Sequence, residues 1–215
     1  MIRYIAILTF ASIALFACKK TKNQDVVVEG TITDYRNGSG LSNVYLVLDE
    51  QVVSGGVLSG GFTTVAETST SSDGAYALEF ARSNALTYRV GIEKTGFFDR
   101  EIDINPENVS PNNPYNLSVA LVPEATVSVR LVNTSPVSNN DLIKFRYLSP
   151  NFNCECCTGE LIQGEGMDVD FTSSCKLYGD SWIYYRWDIF KDTDTSFVDS
   201  VYCPAFQTTN ILIEY

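Results

Sequence analysis

From Val26 onward the chain alternates. Val44, Leu46 and Leu48 are interleaved with Tyr45, Val47 and Asp49. Tyr76, Leu78 and Phe80 are interleaved with Ala75, Ala77 and Glu79, and Tyr88, Val90 and Ile92 with Arg89, Gly91 and Glu93. Tyr115, Leu117, Val119 and Leu121 continue the pattern among smaller or polar neighbours. A side-chain period of two belongs to a strand with one buried face, and runs this short belong to short strands. Turn sequences separate them: Arg36-Asn37-Gly38, Ser72-Asp73-Gly74, Thr95-Gly96 and Pro111-Asn112-Asn113-Pro114. No helical period of useful length follows residue 25. Short strands with regular turns predict an all-β chain of the sandwich type.

Pro123 marks an expected boundary, with one β domain over 26–122 and a second, smaller sandwich-like domain over 123–215. The second half repeats the period in Val127, Val129 and Leu131; in Ile143, Phe145 and Tyr147; in Met167, Val169 and Phe171; and in Ile183, Tyr185, Trp187 and Ile189. Val198 to Tyr202, then Ile211, Ile213 and Tyr215, complete it. Trp182 and Trp187 fall in one strand five residues apart, which places them on opposite faces. One is expected in the core and the other at the surface. Gln51 to Phe62 is rich in Gly and Ser and reads as a flexible hairpin between two strands. A phosphate-binding loop would need a lysine and a following helix, and it has neither.

The start of the chain has a different composition. Arg3 precedes an apolar run from Tyr4 to Phe16, which ends in Leu15-Phe16-Ala17-Cys18 and is followed by Lys19, Lys20 and Lys22. The run is too short for about 30 Å of hydrocarbon, which takes about 20 residues. A basic start, a short apolar core and a small residue before the cut form an export signal. The cysteine at the cut resembles the lipobox of bacterial lipoproteins. That resemblance implies removal of residues 1–17, lipidation of Cys18 and a polar tether over 18–25. It places the protein in the cell envelope, held to a membrane through Cys18. Lys19, in place of an aspartate after the cysteine, favours the outer membrane.

A second resemblance lies in the order of short motifs. Gly30-Thr31-Ile32-Thr33-Asp34 is followed by Gly40-Leu41-Ser42-Asn43-Val44-Tyr45-Leu46-Val47-Leu48 and by Thr70-Ser71-Ser72-Asp73-Gly74-Ala75-Tyr76-Ala77-Leu78. Tyr88-Arg89-Val90 and Gly96-Phe97-Phe98 come after them. This series resembles the carboxypeptidase regulatory-like domain, which implies a transthyretin-like seven-strand sandwich over 26–122. The second half resembles no family.

The chemistry-bearing residues exclude more than they propose. There is no histidine, so the commonest general base, the serine-protease partner and the usual zinc ligand are missing. A formal charge of −11 argues against nucleic acid as a partner and is the ordinary charge of a soluble body. Besides Cys18, the cysteines are Cys154, Cys156, Cys157, Cys175 and Cys203. Outside the inner membrane thiols tend to be oxidised. Two disulfides with one thiol left over are expected, with Cys175 and Cys203 tying the 154–157 loop to neighbouring strands; sequence alone does not give the pairing. The alternative is a thiolate metal site, disfavoured by export and by the lack of a Cys-x-x-Cys pair. No cofactor or metal is expected. Asp192, Asp194 and Asp199 lack the glycine and terminal glutamate of a calcium loop and read as a solvated turn. Phe97-Phe98 and Tyr184-Tyr185 are adjacent aromatic pairs, so in a regular strand one member of each faces outward. They are candidate sugar contacts, or else packing between domains.

The reading that follows is a lipid-anchored, non-catalytic envelope protein acting as a binding or structural module, with an envelope protein or a glycan as partner. The alternatives are a carbohydrate- or peptide-binding accessory of an outer-membrane uptake or degradation system, and a hydrolase. A flat exposed aromatic platform would favour the accessory. A cleft of converging carboxylates would favour the hydrolase.

Overall fold

The computed structural model describes residues 25–54, 57–58, 61–148 and 157–215. Cys18, Cys154, Cys156 and parts of the Gly/Ser-rich hairpin lie outside the described residues. The first half holds β1 (Asp25–Asp34), β2 (Tyr45–Ser54), β3 (Val57–Leu58), β4 (Thr63–Ser69), β5 (Ala75–Ala81), β6 (Ala85–Glu93), β7 (Arg100–Ile104), β8 (Tyr115–Asn116) and β9 (Val119–Leu121). The second holds β10 (Glu124–Val132), β11 (Leu142–Tyr147), β12 (Ile162–Glu165), β13 (Asp170–Tyr178), β14 (Ser181–Phe190), β15 (Thr195–Cys203) and β16 (Thr208–Glu214). The chain is all-β. A single 3₁₀ turn, Pro106–Asn108, is the one helical element among the described residues.

In the first half β1 pairs with β5 on one side and with β8 and β9 on the other, while β2 pairs with β3, β4 and β6, and β6 with β7. The inward residues of the two layers meet in one core containing Val26, Val28, Ile32, Leu46, Leu48, Tyr76, Leu78, Phe80, Tyr88 and Val90. Nine strand segments stand where seven strands are expected, for two local reasons. β3 is a two-residue extension of the hairpin after β2. β8 and β9 are one strand interrupted at Leu117-Ser118, where the chain crosses Gly30 so closely that a Cβ there would lie 2.2 Å from the Leu117 carbonyl oxygen. The Asp73-Gly74 turn also depends on its glycine: φ is +84° at Gly74, beside the Ile32 carbonyl.

The second half stacks a three-stranded sheet, β13-β10-β16, on a four-stranded one, β12-β11-β14-β15. Val127, Val129 and Leu131 from β10 and Ile211 and Ile213 from β16 pack against Ile143 and Phe145 from β11 and Ile183 and Tyr185 from β14. The two cores share no residue and are separated at Pro123.

Candidate binding face on the four-stranded sheet

The β14–β15 hairpin turns at Lys191–Asp194, where Asp192 and Asp194 are exposed. Among the described residues no group of three or more His, Cys, Asp or Glu is placed to hold a metal. The register puts Trp182 opposite Tyr202, Tyr184 opposite Ser200, Arg186 opposite Val198 and Asp188 opposite Ser196. Ile183 and Tyr185 alternate with these and are buried, so the other set faces out. Trp182 is 56% exposed, Tyr184 49% and Tyr202 41%. The Trp182 and Tyr202 rings lie 5.7 Å apart and tilted, and the Tyr202 hydroxyl donates to Asp180 at 3.2 Å. Reduced hydration and the Asp180 carboxylate push the Tyr202 phenol up, so it stays neutral at physiological pH.

Next along the same face come charges. Arg146 on β11 pairs directly across from Arg186, and Lys144 across from Asp188. Arg186 grips Asp188 from Nε (2.9 Å) and Nη2 (2.7 Å), and Ser196 donates to the same carboxylate. That hydrogen bond from Arg186 is the chief reason the Asp188 carboxyl lies below its usual range. Lys144 Nζ sits 5.0 Å above the Phe190 ring. Arg146 is exposed.

The candidate aromatics of the sequence separate by this geometry. Tyr184 faces solvent, while Tyr185 is core, stacked on Trp187 and close to Phe145. Phe97 and Phe98 pack against the second half: Phe97 lies edge-on to Phe206 at 5.3 Å and Phe98 to Tyr178 at 5.0 Å. They belong to the joint between the halves, where Phe98 N–H donates to the Val122 carbonyl and Glu124 N–H to that of Gly96. Arg36 completes the joint. It binds Asp34 at 2.6 Å, reaches Asp180 at 3.5 Å and lies 4.8 Å above the Phe206 ring. Its hydrogen bond is the main cause holding the Asp34 carboxyl down.

An open cleft of about 470 Å³ runs beside the joint, lined by Glu93, Asp99 and Glu124 together with Lys94 and Lys176. Lys176 pairs with Glu124 at 2.8 Å and Lys94 donates to the Ser42 carbonyl, so much of its charge is spent internally.

One disulfide is present among the described residues, Cys157–Cys175, with a Cα separation of 5.1 Å. It ties residue 157 to β13. Cys203 is expected to tie the 154–157 loop to a neighbouring strand, and instead stands as a thiol left over. It is a free thiol, fully buried in the second core, and burial pushes it up. Its place at the inward end of β15 makes it a small apolar side chain.

Trp182, Tyr202, Arg146 and Arg186 are absent from the sequence-derived candidates. The signal was the spacing Trp182, Tyr184, Arg186 on every second residue. Tyr202 needed the hairpin register, and Arg146 needed the β11 pairing.

No protein-family model matches the chain, and no curated protein matches it in sequence. Among solved structures it is similar to the Bacillus anthracis TIE protein, at 10% identity and a TM-score of 0.38 over 88% of this chain and 34% of that one. It is also similar to a Streptococcal ancillary pilin, at 14% identity and TM-score 0.35 over 91% and 63% of the two chains. A third is a candidate carbohydrate binding protein from Bacteroides uniformis, at 12% and 0.32 over 82% and 98%. The chain thus spans about a third of the TIE protein and under two thirds of the ancillary pilin. Likenesses this distant leave function to the site itself.

Proposed function

We propose that this chain is a lipid-anchored, non-catalytic protein of the cell envelope that binds glycans on the outer face of β14 and β15. The observation that carries the reading is the exposure of Trp182, Tyr184 and Tyr202 together on one sheet face. An aromatic ring offers an apolar surface to the flat face of a pyranose, and the neighbouring polar groups bond its hydroxyls. In this reading the two cores are two domains meeting at Pro123, the first of the carboxypeptidase regulatory-like type, and Cys18 carries the lipid that holds both at the outer membrane.

The test is a glycan panel presented to the full chain and to Trp182→Ala. Truncating an aromatic anchor costs about 2 kcal/mol or more, roughly thirtyfold in Kd. A variant that keeps its circular dichroism and loses binding by that factor supports the proposal. A variant that binds as well as the parent sinks it. The anchor has its own test. Cys18→Ala should accumulate uncleaved or be shed, and a variant still processed at the same bond and retained on carbonate-washed membranes would remove the lipid from the proposal.

A further inference from the structure

We infer that the ligand of this face is an anionic polysaccharide, read by its rings at Trp182, Tyr184 and Tyr202 and by its acid groups at Arg146 and Arg186; the inference rests on the glycan-binding reading above.

The charge of the chain is locally inverted on this face. The chain carries 26 acidic residues against 15 basic ones. Yet the cationic end of this face brings together Lys144, Arg146 and Arg186 against Asp188 and Glu165, and Asp180 at the aromatic end is met by Arg36 at 3.5 Å. Like charges directly opposite each other across a strand pair are destabilising. Arg146 and Arg186 occupy such a pair. Asp188 is hydrogen-bonded to Arg186 and Ser196, and it acts on Arg146 only through space, by charge and without a hydrogen bond. The guanidinium of Arg146 hydrogen-bonds to nothing among the described residues and is exposed. A planar donor fork held this way suits a carboxylate or sulfate, which it can bind with two parallel hydrogen bonds.

The aromatic and cationic groups are in register for one linear ligand. Residues two apart on a strand face are separated by about 6.8 Å, so Trp182, Tyr184 and Arg186 form a line about 13–14 Å long. Tyr202 widens its aromatic end and Arg146 its cationic end, each by one strand spacing of about 4.8 Å. A polymer lying along β14 meets rings first and guanidinium groups next. The chain's overall negative charge does not prevent this, since at physiological ionic strength charges beyond about 8 Å are largely screened.

The experiment uses the detergent-extracted full chain in affinity electrophoresis and calorimetry. The probes are neutral dextran, dextran sulfate, polygalacturonate and poly-glutamate. Binding to polygalacturonate or to dextran sulfate at least about tenfold tighter than to neutral dextran is expected, weakening with salt. The two polymers distinguish carboxylate from sulfate as the acid group. Arg146→Gln with Arg186→Gln should remove about tenfold or more of that preference, and Trp182→Ala should weaken both anionic probes. Equal binding to neutral and anionic polymers, unaffected by the arginine substitutions but lost in Trp182→Ala, would overturn this inference and leave the glycan-binding reading standing. Equal binding to poly-glutamate, untouched by Trp182→Ala, would overturn both, because no ring would be read. Binding to none of the probes, with the neutral panel also silent, would likewise remove both.

Discussion

The two halves are built alike and finish their surfaces differently. Each places two small sheets around one apolar core. In the first half the outward residues are engaged with one another. Arg89 binds Asp103 at 2.7 Å and Glu101 at 3.3 Å and lies over the Phe62 ring, and Thr31 and Ser118 bond across β1. In the second half the outer face of β11, β14 and β15 leaves three aromatic rings and Arg146 toward solvent. The first half exposes single rings such as Tyr35, and the second gathers Trp182, Tyr184 and Tyr202 on one sheet face. In the proposed reading the first half supports and the second recognises.

The sharpest way to break this contrast is to cut the cores and the face separately. Phe145→Ala, from a fully buried site, should cost about 3–5 kcal/mol, and Leu78→Ala about 2–5 kcal/mol. Denaturant melts should show each loss in its own half. Trp182→Ala should change stability by about 0.5 kcal/mol or less while removing ligand binding. A large destabilisation by Trp182→Ala would make that ring part of the fold, and the contrast would fail.

Next in size is the disulfide, which only the second half has among the described residues. Its sequence separation of 18 gives about 3 kcal/mol from loop closure. Replacing Cys157 and Cys175 together by Ala should lower the second transition by that amount and leave the first alone. If both transitions move together, the halves are one cooperative unit.

Acid should discriminate further. Asp141 is buried in the second half and is held to about pKa 2, first by the Val137 N–H and then by Asn133 and Ser138, against the opposing push of burial. Lys191 approaches it at 3.7 Å. Its folded value is depressed, so its contribution is complete above the unfolded value of 3.8 and is lost as pH falls towards 2. The second half should therefore weaken over that window, and Asp141→Asn should flatten the dependence in a pH series of melts. An unchanged slope would mean that another carboxylate controls it.

The smallest effect belongs to the joint. Arg36→Gln takes the guanidinium from the buried Asp34 carboxylate, which keeps the Arg36 N–H, and should cost about 1 kcal/mol, mostly in the first half. Its effect should appear as a broader distribution of inter-half distances in small-angle scattering. An unchanged profile would leave Phe97, Phe98 and the backbone bridge at Pro123 as sufficient fastening.

The alternation made the cores legible. Val127, Val129 and Leu131, like Tyr76, Leu78 and Phe80, point inward because a period of two is a property of the strand itself. The face was half legible. Which of Tyr184 and Tyr185 points outward depends on the phase of β14 against the core, and Tyr202 joins Trp182 only through a register set by the hairpin. Phe97 and Phe98 could not be placed from sequence, because Phe206 and Tyr178 lie about a hundred and about eighty residues away. Cys203 could not be told from a bridge-former, because pairing requires two Cβ atoms to converge and nothing local reports that.

One further property follows from the parallel pairing at the edge of each half. β1 lies parallel to β8 and β9, and β10 lies parallel to β16 over seven residue pairs. In both halves the first strand is therefore bonded side by side to the last. Tension drawn through the chain on either side of such a pair pulls the two strands past each other lengthwise. The bonds between them are then loaded together in shear, where an antiparallel hairpin pulled from its open end would give way one bond at a time. A body tethered ahead of β1 and gripping a polymer on β14 and β15 would put that load on the pair of β1 with β8 and β9.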